Sequence, residues 1–78
     1  MPRKAKAVYT VVVKFQDENM PKMRYVEKTQ ELAGASMAHA VATFASIKHV
    51  DIFTPTGDNH VFNGRGDYMF TIPAGLLA

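Results

Sequence analysis

Three histidines, two helix-borne serines and one glycine-flanked arginine are the residues of this chain whose types could do chemistry. His39, His49 and His60 are the candidates for metal ligation or general-base work. Their spacings of ten and eleven residues match no zinc motif, so a metal site would need them to converge in space, with Asp51 or Asp58 completing it. Ser36 and Ser46 fall on a predicted helix and lack the strand-turn-helix elbow that exposes a nucleophilic serine. Gly64-Arg65-Gly66 resembles the start of a phosphate-binding loop, but it precedes a strand, and phosphate loops need a helix N-terminus behind them. Arg65-Gly66-Asp67 also spells the tripeptide that integrin ligands present, and no other feature of the chain points outside the cell. With no cysteine there is no thiolate chemistry and no Cys-based zinc site. No catalytic residue, metal ligand or cofactor site is assigned, and the expected class is non-enzymatic.

The elements that must position any site follow from periodicity. Residues 7–16 are almost wholly β-branched or aromatic and predict a strand. Its odd face, Tyr9, Val11, Val13 and Phe15, is apolar and belongs to the core. Its even face carries Val8, Thr10, Val12 and Lys14. Asp17 to Pro21 predict a turn, and residues 22–28 a returning strand with Met23 and Tyr25 inward. Residues 31–47 predict a helix with Thr29 as N-cap, or Ser36 if Gly34 delays the start. Its stripe is Ala33, Met37, Ala40, Val41 and Phe44, and its outer side Glu31, Ala35, His39, Thr43 and Ser46.

The third strand is expected at 49–54 and the fourth at 60–62. The fifth is expected at 67–72, with Tyr68, Phe70 and Ile72 on one face. Pro55 to Asp58 predict one turn, and Asn63-Gly64 a type I′ pair that Arg65-Gly66 would lengthen. The predicted fold is α+β, in the order β-β-α-β-β-β, with one helix packed on an antiparallel sheet. Residues 1–6 form a basic flexible arm, 7–73 the single domain and 74–78 a short apolar tail.

Charge sharpens the functional reading. The formal net charge is +2, but Arg3, Lys4 and Lys6 of the arm supply three of the nine positive charges. From residue 7 onward, six cations face seven acids. The basicity of the folded part therefore resolves into one stripe: Lys14, Lys22, Arg24 and Lys28 on the outer face of the first hairpin, with Val8, Thr10, Val12 and Val26 among them.

Apolar residues amid charges suit a contact with another protein, either a second copy of this chain or a host protein. Small stand-alone domains of this size are frequent among phage and mobile-element accessory proteins that inhibit a host protein, an analogy of size and architecture only. The alternative is nucleic-acid binding through Arg3, Lys4, Lys6, Lys14, Lys22, Arg24 and Lys28. No small-molecule substrate suggests itself, and the apolar runs are shorter than the ~20 residues of a membrane span. With neither leader pattern nor cysteine, the expected location is the cytoplasm.

Overall fold

The computed structural model describes residues 7–77. Its elements are β1 (Tyr9–Phe15), β2 (Met23–Glu27), α1 (Gln30–Thr43), β3 (Ile47–Phe53), β4 (Asn59–Asn63), β5 (Tyr68–Ile72) and a short α2 (Ala74–Leu77). The five strands form one antiparallel sheet in the order β2-β1-β3-β4-β5, and α1 packs on one side of it. This is the α+β architecture that the periodicity predicts. The connection through α1 steps over β1, so β2 and β3 run parallel to each other with β1 between them.

Alternation sets the two faces. Val11, Val13 and Phe15 of β1 are buried under the helix together with Ile47, Val50 and Ile52 of β3. Ala33 and Ala40 meet them at zero exposure. Small helix residues let the helix backbone approach the valines closely, and each fully buried valine contributes roughly 1.5–3 kcal/mol of transfer free energy. Met23, Tyr25, Met37, Val41, Phe44 and Phe62 close the margins of this core.

Thr29 is the N-cap. Its backbone is extended, and its Oγ1 accepts the Leu32 N–H at 3.1 Å. The helix ends at Thr43, earlier than the expected residue 47. Phe44 is already extended and sets its ring edge-on to Phe15, with centroids 5.7 Å apart. Ser46 then takes a left-handed φ of 64° and offers its carbonyl to the Gln16 N–H. Helical propensity would carry the run further, but Ile47 is worth more as a buried strand residue than as another turn of helix.

Two details of the second half also differ from expectation. The β4–β5 connection is not a type I′ pair at Asn63-Gly64. Positive φ falls at Gly66, and the Gly66 N–H donates to the Asn63 carbonyl. The same pattern recurs between β3 and β4, where Gly57 has positive φ and donates to the Thr54 carbonyl. Both are three-residue loops whose glycine takes the left-handed position. The second difference is a bulge in β5. Val61 pairs with Phe70 but Phe62 pairs with Tyr68, so Met69 is the extra residue. Tyr68 therefore lies on the helix side, while Phe70 and Ile72 lie on the other; the three do not share a face.

Two glycines make opposite demands. A Cβ on Gly64 would sit 2.2 Å from the Ile47 carbonyl oxygen, whereas a Cβ on Gly34 would meet nothing within 4 Å. Gly64→Ala is expected to destabilise the fold by about 1–3 kcal/mol through backbone displacement, and Gly34→Ala to stabilise it by about 0.5–1 kcal/mol. Denaturant melts of the two variants check both signs; a neutral Gly64→Ala would contradict the close approach of the β4–β5 loop to β3.

Candidate protein-interaction surface

The side of the sheet away from α1 is covered by no element among the described residues. Its rows follow from the register. One row runs Arg24, Val12, Asp51, Val61, Phe70 from β2 to β5, and the next runs Val26, Thr10, Phe53, Asn59, Ile72. Lys14 and His49 begin a third, with Asn63 beyond them. The face thus has two halves. The β2–β1 half carries Arg24, Val26, Thr10, Val12 and Lys14, flanked by Val8, Lys22 and Lys28. The β4–β5 half carries Val61, Phe70 and Ile72, with Met69 at its bulge.

The register sets five of the eight residues predicted from the hairpin pattern, Thr10, Val12, Lys14, Arg24 and Val26, on this half, and Val8, Lys22 and Lys28 adjoin the ends of its strands. Lys22, Arg24, Val26 and Lys28 are exposed, and Val8, Thr10, Val12 and Lys14 are half-buried. Val26 is 60% exposed at the outer margin. Among the described residues, none of the four cations makes an ion pair, so their charge is turned to solvent. Asp51 separates the halves and holds His49 in a 3.4 Å contact, Nε2 to Oδ2, along β3.

The second half was not read from the sequence as a site. A shallow depression of about 490 Å³ lies there, lined by Asp51, Asn59, Val61, Met69, Phe70 and Ile72, with Lys48 and His49 at its margin. Asn59 is 9% exposed, and its Oδ1 is buried without a hydrogen-bond partner among the described residues. An unsatisfied buried acceptor costs about 1–3 kcal/mol. Met69 is 53% and Phe70 49% exposed. The bulge hid this half, because strict alternation would have placed Tyr68 beside Phe70. A signal was nevertheless present: no charged side chain occurs from Tyr68 to the last residue.

The residues weighed for catalysis are scattered. His39 is exposed on the outer side of α1, His49 is on the open face, and His60 is on the helix side, where its Nδ1 lies 2.7 Å from Thr71 Oγ1. No cluster of three or more metal-ligating side chains occurs among the described residues. Ser36 donates to Glu27 Oε2 at 2.6 Å and meets no histidine. Ser46 is the left-handed residue of the α1–β3 connection. Arg65 and Asp67 lie at the hairpin tip, 3.7 Å apart and largely exposed.

A second groove of about 410 Å³ runs on the helix side between α1 and β4–β5. It is lined by Tyr9, Gly34, Met37, Ile52, Phe62 and Tyr68, among others. The Tyr68 hydroxyl lies 2.7 Å from Thr71 Oγ1, which joins it to His60 in a short polar chain. Tyr9 and Tyr25 also belong to the helix side. On the open face the basic half has no aromatic ring on its own two strands, and Phe53 of β3, beside Thr10, is the ring that borders it. Arg3, Lys4 and Lys6, the arm residues of the nucleic-acid reading, lie outside the described residues.

No helix among the described residues is long and apolar enough to cross a membrane. Comparisons with protein-family models, with curated proteins and with solved structures found nothing that matches this chain.

Proposed function

We propose that this chain is a non-enzymatic protein-binding module that occupies a partner's surface with the open face of its sheet. The observation that carries this reading is the face itself. No element among the described residues covers this face of the five strands, which is apolar at Met69, Phe70 and Ile72 and cationic along Lys14, Lys22, Arg24 and Lys28. The partner surface that complements it is apolar at one side and acidic at the other. A module of this kind acts by occlusion and needs no reacting group. An accessory protein of a phage or mobile element, blocking a host protein in the cytoplasm, would work in this way.

A second reading has one observation in its favour. The same four cations are free of ion pairs among the described residues, so with Arg3, Lys4 and Lys6 they could track a phosphate backbone. A single half-buried ring, Phe53, borders these cations on β3, where a row of stacking rings is the usual single-strand platform, and this weighs against it.

Val26 and Arg24 are exposed enough that replacing them should leave stability within about 0.5 kcal/mol. The double variant Arg24→Glu, Val26→Asp is expected to lose at least about tenfold in binding, since it sets two acids against the acidic side of the partner surface, and like-charge juxtaposition costs several kcal/mol. The measurement is capture from a nuclease-treated bacterial lysate by tagged wild-type and variant chains, followed by titration of the captured protein. If capture vanishes with nuclease, and direct binding to DNA or RNA falls steeply and log-linearly with salt, the nucleic-acid reading replaces this one.

A further inference from the structure

Gly34 is the residue that packing leaves unexplained. It stands inside α1, where glycine is the poorest helix former after proline. Glycine is favoured where a backbone must be approached closely, by another chain segment or by a ligand. No chain segment makes that approach, since a Cβ on Gly34 would meet nothing within 4 Å. Beside it lies the helix-side groove of about 410 Å³.

The groove has a definite build. Gln30, Gly34, Met37 and Val41 share one flank of α1, being spaced by four, three and four residues. The first three line the groove, where β4 and β5 extend beyond the helix. Val41 meets the β4–β5 loop, for a Cβ on Gly66 would lie 3.6 Å from its Cγ2. Three rings, Tyr9, Phe62 and Tyr68, also line the groove, and the last two meet edge to face with centroids 5.8 Å apart. His60 is the polar member. Its Nδ1 lies 2.7 Å from Thr71 Oγ1, which is 2.7 Å from the Tyr68 hydroxyl. That chain fixes the imidazole and leaves Nε2 without a partner among the described residues. No acid, lysine or arginine among the described residues lines the groove.

We infer that this groove binds a small, uncharged aromatic molecule. Its ring rests on the Gly34 backbone, between Met37 and the rings of Phe62 and Tyr68, and one hydrogen-bonding group turns to His60. Each part of that description answers to a residue. The volume falls within the ~300–1,000 Å³ of ligand pockets, which are mostly apolar with a few placed polar groups. Ring faces and edges suit an aromatic guest. A lining without formal charge offers an ionised guest nothing to offset its desolvation. A bare glycine lets a flat ring reach the helix backbone. An extended peptide would bring backbone N–H and C=O groups for which the groove has too few partners. The site is on the other side of the sheet from Arg24 and Val26, so it stands apart from the protein-contact reading.

The probe is N-phenyl-1-naphthylamine, a neutral two-ring amine with one N–H whose fluorescence rises on leaving water. The chain has no tryptophan to interfere. Titrating the full chain to about 1 mM into a few micromolar probe should give a Kd between about 10 µM and 1 mM, as ligand efficiency supports for ~17 non-hydrogen atoms. Amide NMR shifts should centre on Gly34, Phe62 and Tyr68.

Gly34→Leu has room for its Cβ and a better helix propensity, and its side chain fills the groove. It is expected to weaken binding at least about tenfold with a thermal midpoint no lower than that of the wild type. His60→Leu should weaken binding about threefold or more. Phe70→Lys, on the open face, should leave it within about twofold and controls for adsorption to exposed apolar surface. Circular dichroism verifies that each variant is folded. Absence of binding at the highest concentration, or binding unchanged in Gly34→Leu or in His60→Leu, overturns the site. Equal, Gly34-dependent binding of the sulfonated analogue, 1-anilinonaphthalene-8-sulfonate, overturns the preference for an uncharged guest. Shifts of the same amides on diluting the chain without probe would make a second copy the occupant and overturn the inference.

Discussion

One helix cannot cover five strands. An α-helix with its side chains is about 10–12 Å across, and five strands at ~4.8 Å spacing are nearly twice as wide. α1 therefore lies against β1, β2 and β3, and β4 and β5 extend beyond it. Most of the molecule follows from that mismatch. The core is confined to Val11, Val13, Val50 and their neighbours under Ala33 and Ala40. The helix-side groove along Phe62 and Tyr68 is the uncovered remainder of that face. The open face is covered by no element among the described residues.

A small domain has few ways to compensate for such a layout. With so little apolar surface buried, stability near the threshold is expected. The chain nevertheless leaves Tyr68, Met69 and Phe70 exposed at one edge and Val26 at the other margin. Scattered exposed hydrophobics are ordinary, but contiguous ones on an unpaired strand favour association. The polar residues around them are arranged with more care. Asn63 Oδ1 accepts from the N–H groups of both Arg65 and Asp67, Thr54 Oγ1 accepts from the Asp58 N–H, and Asp58 Oδ1 accepts from the Ala74 N–H. The loops at the β4–β5 end are thus held by specific bonds, so the exposed edge is presented by an ordered hairpin. That contrast, firm loops around a bare strand, makes the strand a better candidate for contact than for accidental exposure.

His49 and His60 show why chemistry could not be judged from type alone. They sit on neighbouring strands, yet His49 faces the open side and His60 the helix side, because their register partners have opposite parity. Proximity in sequence and adjacency in the sheet do not make a constellation. A shared face does, and the pleat separates these two.

By itself the sequence determined what depends on local period and propensity. Alternation over Tyr9 to Phe15 named the buried face of β1, since a strand's side chains alternate wherever the strand is placed. The Thr29 cap, the alanine-rich stripe and the basic outer face of the first hairpin follow in the same way, each from residues within one turn or one hairpin. The tertiary structure alone decided what depends on partners far along the chain. The early end of α1 was set by the place waiting for Ile47 in the sheet. The order β2-β1-β3-β4-β5 left β5, and not β3 or β4, as the second edge. The bulge at Met69 turned Tyr68 to the opposite face from Phe70. One extra residue reverses a strand's parity, and whether it is inserted depends on pairing, which no local pattern encodes.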